Sequence, residues 1–187
     1  PDVFMPMIET ADIVAARYGV SRDDQDDYAL RSQQRIAAAQ EAGLFADEIV
    51  PIQTKDGAVD RDGCIRPDTS AEGLAALKPV FMTTGSVTAG TSSPLTDGAS
   101  AVLVAEEGYA QRHNLPVLAR IRSIATAGCA PDVMGIGPVP ASRKALARAG
   151  LEVGAMDYVE LNEAFSSQAL ACMRELGLDE AKVNLDG

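Results

Sequence analysis

The sequence predicts a layered α/β fold carrying a helical and irregular insertion in its first ninety residues. Three observations lead there. Beyond Pro116, strand-like and helix-like segments alternate, the pattern of a sheet covered by helices. Ahead of that lie two well-punctuated helices with no strands between them. Between the two regimes, MTTGSVTAGTSSPLTDG at 82–98 is rich in Gly, Ser and Thr, and irregular segments of that length inside a compact protein tend to carry function.

In chain order, Thr10 precedes ADIVAARYG, where Ile13, Val14 and Tyr18 fall at helical spacing and Gly19 supplies the stop. Ser21 with Asp24 three residues on forms a capping box built with Asp. The helix it opens, about 22–42, is rich in Ala, Gln and Arg, ends at Gly43, and places Asp23, Asp24, Asp26 and Asp27 at its start. That acid cluster matches the helix dipole and is not taken as a metal site. EIVPIQT (48–54) reads as a strand and 56–70 as a hairpin-like stretch with two Asp-Gly turns. ASAVLVAEE then predicts a buried strand leading into a helix around 106–113, and 117–128 a second strand. A turn over 129–138 gives way to a helix at about 139–149, with Pro140 in its first turn and Gly150 at its end. YVELN is a short strand, AFSSQALACMRELG a helix, and VNLDG the start of another strand.

The 187 residues are 47% hydrophobic, enough to bury a real core. The longest apolar runs, such as AVLVA at 101–105, fall far short of the roughly 20 residues of a membrane-spanning helix, and no targeting leader is expected. A net charge of −11 argues against nucleic acid as a partner, because no basic face dominates. Cys64, Cys129 and Cys172 are odd in number and lack CxxC pairing, so neither a disulfide framework nor zinc is expected, and a reducing, cytoplasmic setting fits. Pro1 and the closing VNLDG both read as cut ends, which leads us to expect a piece of a longer chain.

Few residues offer themselves for catalysis. The sole histidine, His113, reads as a cap at a helix end, which leaves a serine or cysteine triad without a base. The three cysteines read as small structural residues with no basic neighbour in sequence to activate them. VTAGTSSPLTDGASAV differs, since its glycines let backbone N–H groups approach a ligand, although Gly90 and Gly98 equally suit tight turns. Asn162, in VELNEAFSSQAL, follows a strand and opens a helix, where open α/β sheets present ligand-binding groups. Its amide either caps the helix, the reading that spacing favours, or fixes a water against a developing oxyanion.

Four stretches, PMIETADIVAARYGVSRDDQDDYALRSQ, TAGTSSPLTDGASAV, GIGPVPASRKAL and ELNEAFSSQAL, taken in this order, resemble successive parts of the thiolase family, the acetyl-CoA acyltransferases. The resemblance runs from near Pro6 to Gly187. It implies a layered α/β/α/β/α architecture, with 1–93 as an inserted loop domain that holds coenzyme A. Residues 94–117 would end the N-terminal half of the fold and 118–187 would begin the C-terminal half. It also implies an acyltransferase that cleaves 3-ketoacyl-CoA with coenzyme A, or runs the reverse Claisen condensation. Acyl-CoA and coenzyme A would be its substrates, with no permanently bound cofactor and no metal, and the complete protein would be a homodimer or homotetramer.

By the same resemblance, the family's catalytic Asn falls on Asn162, and Ala164 and Phe165 border the acyl-pantetheine pocket. Arg66 lies beside the nucleotide end, Phe81, Ala89 and Ser93 cradle adenine and pantetheine, and Met7 lines the pantetheine tunnel. The family's nucleophilic cysteine, its Gly-His-Pro histidine and its second cysteine match nothing here, so the 187 residues alone are expected to be inactive. Departures are Thr91 for the usual Asn, Ser166 and Ser167 for a small Ala pair, Pro6 for a histidine of short-chain biosynthetic members, and Ile8 for a common glycine. A Pro-Met pair at 6–7 leans towards a degradative enzyme. The other readings are a non-catalytic acyl-CoA-binding or assembly module, and a related condensing enzyme such as a ketoacyl synthase.

Overall fold

The computed structural model describes residues 2–187. Its helices are α1 (Met7–Arg17), α2 (Arg22–Glu41), α3 (Ala71–Ala75), α4 (Glu107–Arg112), α5 (Pro138–Ala149) and α6 (Ser166–Leu176). β1 (Ile52–Thr54) and β2 (Gly57–Val59) form an antiparallel hairpin, exposed along its whole length.

The first helix begins earlier than its sequence signals indicate. Pro6 O accepts from the Glu9 and Thr10 N–H groups, so Met7 is already helical, and Thr10 lies buried inside the helix with its hydroxyl donating to Met7 O at 2.7 Å. The second helix follows its signals closely. Ser21 Oγ accepts from Asp24 N–H at 3.0 Å and the Asp24 carboxylate accepts from Ser21 N–H at 3.2 Å, completing the capping box. Gly43, just past its end, takes φ +72°, the left-handed conformation a glycine stop supplies. Asp24 also pairs with Arg174 at 2.8 Å and Asp26 with Arg22 at 2.8 Å, which is where two of the four clustered acids go.

The core gathers Val14 and Ala15 of α1, Val20, Tyr28 of α2, Val133, Ile136, Val139 of α5, Ala169–Met173 of α6, and Val183. Helix α6 is its axis: every residue from Ser166 to Met173 is buried. Small residues let α1 approach it, and Ser167 Oγ donates to Ala11 O at 3.1 Å across the contact.

The strands expected at 101–105 and 117–128 do not form. Neither stretch forms a strand, and their large apolar side chains are exposed, Leu118 at 96% and Leu103 at 81%, the latter where the sequence predicts a buried strand. The physical reason is that a strand exists only through a ladder to a neighbour, and among the described residues neither stretch has one. Instead α5 holds the second stretch by side chains: Arg148 donates to Ile124 O, Lys144 to Thr126 O, and Ala145 O accepts from Ser123 Oγ. The strands read at YVELN and VNLDG survive as one parallel rung, Val159 with Val183. Helix α3 carries no strong sequence signal, whereas the turn expected over 129–138 takes 3-10 form at Pro131–Ile136.

Candidate active site

Four segments converge beside α6. The segment 159–165 is bracketed on both sides: Ser93 N–H donates to Ala164 O at 2.9 Å and Ser92 pairs with Phe165 in an antiparallel bridge. On the other side, Asn184 N–H donates to Val159 O at 3.0 Å, while its side chain donates to Leu161 O and accepts from Leu161 N–H, each at 2.8 Å. The start of α1 brings Met7 onto the same segment.

Two adjoining cavities open there, of about 430 Å³ and about 780 Å³, within the size range of small-molecule sites. Met7, Glu160, Leu161, Asn162, Ala164 and Phe165 line both. The smaller adds mainly apolar surface from Ala11, Met134 and Pro138, together with Gln168, whose buried Oε1 has no hydrogen-bond partner among the described residues. The larger adds Ile8, Ser92, Ser93, Pro94, Leu95, Glu163, Asn184 and Gly187. The structure therefore brings together Asn162, Met7, Ser93, Ala164 and Phe165. Arg66, Phe81 and Ala89 line neither cavity and are exposed on the surface. Arg66 is placed by its backbone, its N–H donating to Gln33 Oε1 at 2.8 Å.

Asn162 is not a helix cap. Helix α6 starts at Ser166, its N-cap position is Phe165, and no side chain caps it. The spacing argument for a cap fails because two residues, Glu163 and Ala164, separate Asn162 from the cap position, leaving its exposed amide at the wall common to both cavities. An amide so placed can donate to a water or to an oxyanion.

The neighbouring Glu163 is the functional-looking residue that the sequence signals pass over. Its Oε1 accepts from Tyr28 Oη at 2.8 Å and from Asn184 Nδ2 at 2.7 Å, and its Oε2 accepts from Ser32 Oγ at 2.5 Å. Burial first, then the charge of Glu163, pushes the Tyr28 phenol far above its ordinary value, so it remains a donor at any working pH. Tyr28, Ser32 and Arg35 lie on one face of α2, and Arg35 Nη1 donates to Val183 O and Asn184 O. Asn184 itself adopts φ +45°, which Asn tolerates better than most residues.

The irregular segment 82–98 is held from α1. Asp12, 4% exposed, accepts from the Ser86 and Val87 N–H groups at 2.8 and 3.0 Å, and Gly85 lies so close that an added Cβ would sit 2.4 Å from Asp12 Oδ2. Thr91, in place of the family's Asn, is buried, and its Oγ1 accepts from Thr88 N–H at 3.0 Å.

His113 ends α4, its ring centroid 4.2 Å from that of Tyr109, and lines neither cavity. Cys172 is fully buried, and burial pushes its thiol up to about 11. Cys64 and Cys129 are exposed and free.

Residues 2–108 match the family model "Thiolase, N-terminal domain" and 115–187 match "Thiolase, C-terminal domain". The chain is 53% identical over 188 residues to a beta-ketoadipyl-CoA thiolase of Pseudomonas aeruginosa, covering 97% of this chain and 47% of that protein. It is 54% identical to a 3-ketoacyl-CoA thiolase of Shewanella sp. strain MR-7, covering 95% and 48%. Among solved structures, human mitochondrial 3-ketoacyl-CoA thiolase in complex with CoA superposes with a TM-score of 0.95 at 48% identity, covering 97% of this chain and 46% of that one. The dimeric peroxisomal thiolase of Saccharomyces cerevisiae gives 0.96 at 42%, covering 100% and 48%. The chain thus spans about half the length of the relatives it matches. Matched over 2–108 and 115–187 by the two domains of one family and superposing closely on its solved members, the chain belongs to the thiolase family.

Proposed function

We propose that these residues form the coenzyme A-holding insertion and the oxyanion side of a thiolase, an acyltransferase that cleaves 3-ketoacyl-CoA with coenzyme A or runs the reverse Claisen condensation. The observation that carries this reading is the placement of Asn162: free of any capping role, it faces two cavities walled by Met7, Ala164 and Phe165, with Ser93 at the edge of one. The cysteine that would accept the acyl group as a thioester belongs to the complete enzyme. Asn162 would hold a water that donates to the thioester or enolate oxygen as negative charge develops there.

In this reading 1–93 is the loop domain, 94–117 the end of the N-terminal half and 118–187 the start of the C-terminal half. Pantetheine would run past Met7 and Ser93, with adenine and the phosphates over Ala89, Phe81 and Arg66, and the surface exposure of those three suits the solvent-facing end of a long ligand. The names of the relatives, 3-ketoacyl-CoA and beta-ketoadipyl-CoA thiolase, support the substrate class, the apolar lining of the smaller cavity supports an alkyl acyl group, and the Pro-Met pair at 6–7 supports the degradative direction. Free cysteines support a reducing compartment such as the cytoplasm, and of the two assemblies, homodimer and homotetramer, the homodimer is supported by the yeast relative described as dimeric. Among the described residues, no helix is long and apolar enough to cross a membrane.

The test is a thiolysis assay of the complete enzyme on 3-ketoacyl-CoA substrates. Asn162→Ala is expected to lower kcat by roughly 10²–10³-fold, the cost of losing one oxyanion donor, with coenzyme A affinity kept. Arg66→Ala is expected to weaken coenzyme A in calorimetry and leave kcat in place. A rate untouched by Asn162→Ala would remove the oxyanion reading.

A further inference from the structure

We infer that Glu163 is a positioning residue for the Asn162 amide, acting from a polar clamp that α2 supplies. This rests on the oxyanion reading of Asn162. Three hydrogen bonds converge on the half-buried Glu163 carboxylate, from Tyr28, Ser32 and Asn184. They come from two elements far apart in sequence, so the peptide carrying residue 163 is fixed against both at once. Asn184 closes the other side by taking both backbone groups of Leu161. The residues flanking Asn162 are therefore tied down, while Asn162 itself is exposed toward the cavities.

A carboxylate bonded in this way would be costly to install for packing alone, because burying part of a charge needs full compensation. Its geometry instead resembles the supporting contacts that fix an active amide within a few tenths of an ångström. Helix α2 lies within the segment proposed to hold coenzyme A, so the clamp also makes that segment and the oxyanion side one hydrogen-bonded unit. Tyr28, which is 6% exposed, stands at the centre of the joint, with the Arg31 guanidinium 5.2 Å from its ring centroid.

The experiment is a double-variant cycle on the complete enzyme, reading kcat and KM for coenzyme A separately, with thermal unfolding recorded for each variant. Glu163→Ala is expected to lower kcat on the order of 10²-fold with KM changed less than about twofold. Glu163→Gln, which still accepts from Tyr28 and Asn184, should recover the rate to within about tenfold of the parent. In an Asn162→Ala background, Glu163→Ala should cost almost nothing further, because its effect runs through the lost amide. Should Glu163→Ala fail to fold, Tyr28→Phe and Ser32→Ala each remove one donor and are expected to lower kcat several-fold. Full and multiplicative losses in the double variant, or wild-type kcat in Glu163→Ala or in both single-donor variants, overturn the inference. If Asn162→Ala itself keeps the parental rate, the oxyanion reading fails and takes this inference with it; if only Glu163→Ala keeps it, that reading stands and this inference alone falls.

Discussion

Cys172 illustrates how a reactive atom is silenced by its place. Its thiol donates to Gly135 O at 3.3 Å inside α6, and burial holds its pKa near 11 against an ordinary 9.0. The thiolate, which is the nucleophilic form, is therefore scarce at pH 8, and the atom is out of reach. Iodoacetamide at that pH is expected to label Cys64 and Cys129 and spare Cys172 until the chain unfolds, as read by peptide mass mapping. The linkage has a definite sign. The folded state retains this proton to higher pH than the unfolded state does, so the stability it contributes is complete below about 9.0 and is lost as pH rises from there towards 11. A Cys172→Ala variant should show a shallower loss of thermal stability across that alkaline window than the parent. At the same scale, Asn162 shows the limit of local spacing. Which side chain caps a helix depends on where the backbone turns, and the chain reaches Phe165 before it does so.

At the scale of elements, the junction of α1 and α2 is locked from a distance. Arg174 of α6 donates to Gly19 O at 3.1 Å and pairs with Asp24, the reciprocal partner in the capping box of Ser21. Ser21→Ala removes the box and is expected to cost about 1 kcal/mol, a typical cap deletion, measured by urea unfolding. The hydrogen bond from Arg174 is the first cause that holds the Asp24 carboxyl below 3.8. Its contribution is present above that pH and is lost as pH falls through the lowered value, so Asp24→Asn should flatten the acid limb of the stability curve. The helices other than α3 were legible because their signals are local: the Ser-Asp box, the glycine stops at Gly19, Gly43, Gly150 and Gly177, and the prolines opening α5 all sit within a turn of the boundary they set. The strands were not, because 101–105 and 117–128 have the composition of strands and need a neighbour to become them. The candidate site divides in the same way. Asn162 announced itself through its motif, whereas Glu163, Tyr28, Ser32 and Asn184 act together across 135, 131 and 21 residues of sequence, and no periodicity links them.

At the scale of the whole molecule, the distribution of apolar surface is lopsided. Helix α6 and its neighbours form a buried core, yet Val102, Leu103, Val104, Leu118, Ile121 and Ile124 are all exposed, and Leu95 extends fully into solvent. Six large aliphatic side chains on two short extended stretches form the kind of surface that proteins normally cover, and backbone there is open to edge pairing. The 187-residue polypeptide on its own is therefore expected to bind an environment-sensitive dye such as anilinonaphthalene sulfonate at neutral pH, and to self-associate as its concentration rises. Replacing Val102, Val104, Leu118 and Ile121 with Thr or Lys should reduce both effects. Because none of the four packs in the core around α6, the far-ultraviolet circular dichroism and the unfolding of the helical part should change little. Dye fluorescence unchanged by those substitutions would place the exposed apolar surface elsewhere, and sedimentation of a monomer at every concentration would show that the two stretches fold back on the chain in solution.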